Sequence, residues 1–245
     1  MKKERLDLLL VARGLAESRA RAQALILAGQ VVVDDQRHDK PGTRVPIDAA
    51  VRLKGEGVRF VSRGGLKLEA ALAHFGIDVT GATCADVGAS TGGVTDCLLQ
   101  RGAVKVHAID VGYGQLHEKL RTDPRVISHE RVNARHLSDE ALPEPVSVVV
   151  IDVSFISLTL VLPSVLPRLS PGGSLVALVK PQFEVGPAQL EKGGVVRDAA
   201  ARAGAIEKVR ACVAALGLEV QGVIDSPAPG PAGNVEALLV ARRPR

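Results

Sequence analysis

The chain has 245 residues, 46% of them hydrophobic, enough for a sizeable core in one large domain or in a small and a medium one. Aromatic residues are only 2% and Trp is absent, which argues against a stacking platform for single strands. The formal charge of +4 is unevenly spread: residues 1–67 hold 14 Lys/Arg against 8 Asp/Glu, a net +6, and leave −2 for the rest. Such a basic head is expected to meet something polyanionic.

The opening residues, Met-Lys-Lys-Glu-Arg-Leu-Asp, lack the uninterrupted apolar core of a signal peptide, and a cytoplasmic location is expected. Two short amphipathic helices follow, from about Arg5 to Ala12 and from the N-cap Ser18 to near Gly29. A strand is expected at 30–33, then a turn-rich stretch, then a strand at 51–53. The residues Arg5-Leu-Asp, Ser18-Arg-Ala-Arg-Ala and Ala28-Gly-Gln-Val-Val-Val make this segment resemble the small RNA-binding domain named after ribosomal protein S four. The resemblance implies that Arg5, Arg19 and Arg21 meet phosphates of a structured RNA, contacts that position the protein without reading sequence.

Beyond Val61, a helix from Leu66 to Phe75 lies outside the sheet. Strands are expected at 83–87, 104–110, 126–129, 147–152, 174–180, 219–224 and 235–241, with helices at 93–100, 115–121, 156–166 and 199–216. Apolar β-branched runs alternating with helices indicate an α/β, mostly parallel, doubly wound sheet. A Pro/Gly-rich loop in place of a last helix permits an antiparallel last strand, as in the Rossmann-like methyltransferase sheet. The expected division is a small α+β RNA-binding domain at 1–60 with a linker near 56–62, and a catalytic domain at 61–245. The apolar tract 146–167 contains Asp152, Pro163 and Pro167, so a membrane span is not expected. Cys84, Cys97 and Cys212 form no Cys-x-x-Cys pair and read as reduced core thiols, with neither disulfide nor metal site.

The segment Asp86-Val-Gly-Ala-Ser-Thr-Gly-Gly sits where a strand hands over to a helix. Gly88 suits the tight turn, and Gly92 and Gly93 suit close approach of backbone to a ligand at a helix N-terminus. Asp110 ends the next strand, 24 residues after Asp86, where an acid binds ribose hydroxyls. The loop fits neither a P-loop nor Gly-x-Gly-x-x-Gly. A nucleoside cofactor without a pyrophosphate fits better, and S-adenosylmethionine is the commonest.

Four charged residues interrupt apolar surroundings: Lys67, Asp152, Lys180 and Glu236. Asp152 and Lys180 end central strands, where open α/β sheets bind ligands, and Glu236 would start an antiparallel strand at that same edge. The set suits methylation of a ribose 2′-hydroxyl, a poor nucleophile whose proton must leave as the methyl arrives. A lysine serves as base only when neutral, which a second lysine and partial burial favour. Lys180 is the expected base, Lys67 holds the hydroxyl, and Asp152 and Glu236 orient the two ammonium groups.

Together with Phe60-Val-Ser-Arg-Gly-Gly-Leu-Lys-Leu, Asp110-Val-Gly-Tyr-Gly-Gln-Leu, Asp152-Val-Ser-Phe-Ile-Ser-Leu, Lys180-Pro-Gln-Phe-Glu and Gly233-Asn-Val-Glu, the chain resembles the TlyA, or haemolysin A, family over nearly its whole length. The resemblance implies transfer of methyl from S-adenosylmethionine to ribose 2′-hydroxyls, typically of cytidine, in ribosomal RNA. Ribosomal RNA or ribosomal subunits are the expected partners, with no membrane and no DNA. The motif matches place Asp86, Gly88, Ala89, Ser90, Gly92, Gly93 and Asp110 at the cofactor, with Tyr113 beside the adenosine and Asn133 at the adenine edge. Two other readings are a membrane-lytic protein, which the historical name suggests, and a ribosome-binding factor that has lost catalysis.

Overall fold

Strands form where β-branched and apolar residues run together, and helices where apolar residues recur at helical spacing. A computed structural model describes residues 3–34, 36–53, 59–230 and 233–245. The chain divides into two compact units, Met1–Val58 and Arg59–Arg245. The expected linker near 56–62 lies partly outside the described residues.

In the first unit, β1 (Lys3–Arg5) leads into α1 (Leu6–Ala12), and α2 (Arg19–Leu27) follows. The Ser18 hydroxyl accepts a hydrogen bond from the Arg21 amide at 3.2 Å and caps α2. The strands β2 (Val31–Val33), β3 (Gln36–His38), β4 (Arg44–Pro46) and β5 (Val51–Leu53) complete the unit. β1 pairs with β4, and β2 lies between β3 and β5, all antiparallel. Sequence reading anticipated only β2 and β5, because the other three strands are three-residue polar pieces with no apolar alternation to announce them. Leu6, Leu10, Ile26 and Val31 are fully buried in a core belonging to this unit.

The division corrects one expectation. The first 58 residues hold 11 Lys/Arg and 8 Asp/Glu, a net +3, leaving +1 for the remainder. The steeper asymmetry of residues 1–67 rested on Arg59, Arg63 and Lys67, which lie in the second unit.

The second unit opens with α3 (Gly64–Phe75) and then alternates: β6 (Thr83–Val87), α4 (Gly93–Gln100), β7 (Lys105–Ile109), α5 (Glu118–Arg121), β8 (Val126–His129) and β9 (Val146–Ile151). It continues with α6 (Leu158–Val165), β10 (Leu169–Val179), α7 (Pro181–Glu184), α8 (Ala199–Ala215), β11 (Glu219–Asp225) and β12 (Ala237–Arg242). The sheet runs β11-β12-β10-β9-β6-β7-β8, parallel except that β12 is antiparallel to both neighbours. Strand residues alternate between its two faces. Val106, Val148, Val176 and Leu238 join the core that contains residues of α3 and α4, while Ile109, Val149, Leu175 and Leu239 join the core that contains residues of α6 and α8. Cys84 and Cys97 are free thiols in the first of these, pushed up to about 12 by burial. β10 starts five residues earlier than expected because the chain continues the ladder through an irregularity between Leu169 and Ser174. The helix expected at 115–121 is only α5, whose N-cap is His117. Among the described residues, no helix is long and apolar enough to cross a membrane.

Candidate active site

Register brings the charged residues of the second unit to one end of the sheet. Ala237 of β12 pairs with Val179 of β10, Ala177 with Ile151 of β9, Ile151 with Val87 of β6, and Val87 with Ile109 of β7. Glu236, Lys180, Asp152, Gly88 and Asp110 are the residues adjoining those strand ends. The edge is therefore the carboxyl end of the parallel strands, where open α/β sheets place ligands.

Two ion pairs stand there. Lys180 Nζ lies 2.6 Å from Asp152 Oδ1 and donates to Ser154 Oγ at 2.9 Å. The approach to Asp152 is an ion pair by distance, its angle falling outside hydrogen-bond geometry. Lys67, in the first turn of α3, donates from Nζ to Glu236 Oε2 at 2.5 Å. The lysine side chains are only 10% and 11% exposed, and Glu236 is fully buried. Glu236 Oε1 has no hydrogen-bond partner among the described residues. The tip of α3 reaches the other pair as well, since a Cβ on Gly64 would sit 3.7 Å from Asp152 Oδ2. Each lysine thus holds its own carboxylate, and burial makes such charge-paired contacts stronger than at a wet surface.

The glycine loop lies beside them. Gly88 turns with φ +90°, and a Cβ there would lie 2.5 Å from the Asp152 carbonyl oxygen, so only glycine lets the two strand ends approach this closely. Ser90, exposed and at φ +49°, donates its amide to Asp110 Oδ2 at 2.8 Å, and Gly112 donates to Asp110 Oδ1 at 2.7 Å. Both Asp110 oxygens keep lone pairs beyond these bonds. A small pocket here is lined by Ala89, Ser90, Asp110, Gly112 and Gln115, facing Ser128–Glu130 across β7 and β8.

The other expected cofactor residues make contacts of their own within the fold. Gly92 and Gly93 are buried, and a Cβ on them would meet Leu120 at 2.3 Å and Ser62 Oγ at 2.1 Å. Their smallness lets α4 pack against the entry to α3 and against α5. Asp86 is fully buried and accepts from the Thr95 amide at 2.9 Å and hydroxyl at 2.6 Å, bracing α4 from behind the loop. Its carboxyl is pushed up to about 7, chiefly by burial and further by the negative Asp152 and Asp110, against the pull of the Thr95 hydrogen bonds. Tyr113 is 69% exposed with the Arg131 guanidinium 4.4 Å from its ring centre, and it does not line the pocket. Asn133 is exposed and caps a 3-10 turn by accepting from the Arg135 amide at 3.0 Å.

A family model described as FtsJ-like methyltransferase matches residues 60–243, and an S4 domain model matches residues 4–51. The 16S/23S rRNA (cytidine-2'-O)-methyltransferase TlyA of Mycobacterium tuberculosis is 49% identical over 242 residues, 98% of this chain and 90% of that one. This chain belongs to the TlyA family of FtsJ-like methyltransferases. Hemolysin A of Brachyspira hyodysenteriae is 40% identical, with 96% of this chain and 98% of that one covered. A solved structure of a hemolysin from Streptococcus thermophilus superposes with TM-score 0.77 at 45% identity, covering 100% of this chain and 90% of that one.

Other residues, unmarked in the sequence, support or adjoin this candidate site. Ser154 shares Lys180 with Asp152. Glu184, buried, accepts from Ser157 Oγ at 2.5 Å and from the Leu158 amide at 2.7 Å, tying α7 to the start of α6. Asn234 accepts from the Val196 amide at 2.9 Å and donates to the Gly194 carbonyl at 3.0 Å, fixing the approach to Glu236. Phe155 is 90% exposed at φ +64°, a backbone region costly for an aromatic residue, and its ring lies tilted 5.2 Å from that of Phe183. All four fall inside motifs of the family resemblance, and the strained φ and exposed ring are visible only in three dimensions.

Proposed function

We propose that this chain is a methyltransferase for ribose 2′-hydroxyls of ribosomal RNA, cytidine being the target, with Lys67, Asp152, Lys180 and Glu236 as its catalytic set. The observation that carries the reading is the meeting of two largely buried lysine–carboxylate pairs with the turn at Gly88 on one sheet edge. The name of the M. tuberculosis relative agrees with it. Residues 1–60 are the RNA-binding part and 61–245 the catalytic part, working on ribosomal subunits in the cytoplasm.

S-adenosylmethionine fits the loop, because Asp110 offers acceptors for ribose hydroxyls and the Gly88 turn brings that loop against Asp152. When bound, it supplies an electrophilic methyl on a sulfonium. Gly88, Ala89, Ser90 and Asp110 would hold it, with Asp86, Gly92 and Gly93 shaping the loop and Tyr113 and Asn133 assigned to the adenosine. Lys180 Nζ first gives up its own proton to solvent, then accepts that of the 2′-hydroxyl as the oxygen takes the methyl, while Asp152 and Ser154 keep that nitrogen in place. Lys67, anchored by Glu236, donates to the hydroxyl oxygen. Phe155 presents an open ring beside Ser154 on which the target base can stack, a recognition mode common for unpaired RNA bases.

Tritium transfer from labelled S-adenosylmethionine to unmodified ribosomal subunits, followed by mapping of alkali-resistant sites, tests the reaction. Label in ribose is expected, and label in a base overturns the catalytic set. Lys180→Ala should lower kcat by roughly 10²–10⁴-fold with the fold intact, the usual contribution of a general base. Retained transfer by the folded variant refutes the base assignment.

A further inference from the structure

The first unit contains a buried charge that the catalytic reading does not use. Asp7, in the first turn of α1, is fully buried, an unusual place for a carboxylate in so small a core. Five donors converge on it. Arg5 takes it in a fork, Nε to Oδ1 at 3.0 Å and Nη2 to Oδ2 at 2.9 Å. Arg19 Nε reaches Oδ2 at 3.0 Å, Gln23 Nε2 reaches the same oxygen at 3.0 Å, and the Leu8 amide donates to Oδ1 at 3.1 Å. Arg19 and Gln23 are four apart on α2, so one helical face delivers both.

The donors are less sealed than the acceptor. The Arg5 and Arg19 side chains are 38% and 54% exposed over an Asp7 side chain that is 0% exposed. Among the described residues, Arg5 Nη1 and both terminal nitrogens of Arg19 have no partner. Two guanidinium groups side by side repel. One carboxylate beneath them offsets that repulsion, holds Arg5 in a fork and Arg19 by its Nε, and leaves outward N–H groups with a net positive charge. Arg21 takes no part in this cluster and stands exposed. Guanidinium groups on one another's flank with terminal N–H groups in solvent suit the oxygens of a phosphodiester backbone.

We propose that Asp7 is a positioning residue for RNA: it builds a paired-arginine phosphate clamp from Arg5 and Arg19. The inference rests on the RNA-binding reading of the first unit. The same buried contacts hold the Asp7 carboxyl well below the usual carboxylate range, with the Arg5 hydrogen bonds as the largest cause.

Charge alone and positioning predict opposite signs for Asp7→Asn. That variant removes one negative charge and raises the net charge by one, so undirected attraction to a polyanion would strengthen binding. The clamp instead predicts binding of the full chain to unmodified ribosomal subunits weakened about ten-fold. The slope of log affinity on log salt should become shallower by about one to two, since the held phosphate contacts are lost. In methyl transfer the loss falls on KM rather than kcat. Arg19→Lys keeps every charge but loses the planar fork, and is expected to weaken binding about three- to ten-fold. It decides the matter if Asp7→Asn lowers the melting temperature enough to leave it unfolded. Unchanged or tighter binding by a folded Asp7→Asn, or wild-type binding by Arg19→Lys, overturns the clamp. Wild-type protein that fails to bind subunits overturns the RNA reading and the clamp with it, whereas wild-type binding without the variant losses removes the clamp alone.

Discussion

At the scale of single residues, buried charges carry most of this protein's chemistry. Lys180, Glu184, Glu236, Asp86 and Asp7 are all buried, and each except Asp86 has a charged partner within ion-pair distance. Asp86 instead relies on two hydrogen bonds from Thr95 and keeps Oδ1 unpartnered among the described residues. Its carboxyl titrates at about 7 in the folded chain, against about 4 for an ordinary Asp. The folded state therefore binds this proton more tightly than the unfolded state, so the residue's contribution to stability falls as pH rises from about 4 to about 7. Urea unfolding of wild type and Asp86→Asn across that window should show wild type losing stability relative to the variant. A difference that does not change with pH refutes the assignment.

At the scale of elements, the active edge depends on how closely the ends of β6 and β9 approach. A Cβ on Gly88 would meet the Asp152 backbone, and its φ of +90° is itself unfavourable for any other residue. Gly88→Ala should cost roughly 2–4 kcal/mol from strain and displacement of Asp152. Thermal melting reads the stability loss, and calorimetric titration with S-adenosylhomocysteine should show weakened binding in the variant. Wild-type stability would mean that the loop relaxes around the methyl group. The start of α6 is likewise set by a partner far along the chain, since Glu184 binds Ser157 and the Leu158 amide.

At the scale of the whole molecule, each unit owns a core. Leu6, Leu10, Ile26 and Val31 close the first, while the sheet of the second divides its apolar residues between two faces. Separate cores are expected to unfold separately. Denaturant unfolding should resolve two transitions, the smaller belonging to residues 1–58. A single transition with coincident probes would show that the units melt as one.

Much of this was legible without coordinates. The strands β6 and β8 and the helix α4 stand at their expected bounds, and β9 within one residue of them, because a strand buried on both faces, like Val146–Ile151, reads as a nearly unbroken β-branched run. The charged residues at the edge were legible too, since a lysine or carboxylate ending such a run needs a reason. Local sequence also marks the Ser18 cap, made by its own hydroxyl, and the turn at Gly88, where φ is positive. Pairing lay beyond it. That Lys67 grips Glu236, that Asp152 grips Lys180, and that Arg5 and Arg19 share Asp7 follow from strand order and helix packing between residues as many as 169 positions apart. The glycines at 92 and 93 show the same limit: their type announces a close approach, but only the packed structure says that the neighbours are Leu120 and Ser62. Residue type encodes what a position requires locally, and tertiary structure alone supplies the partner.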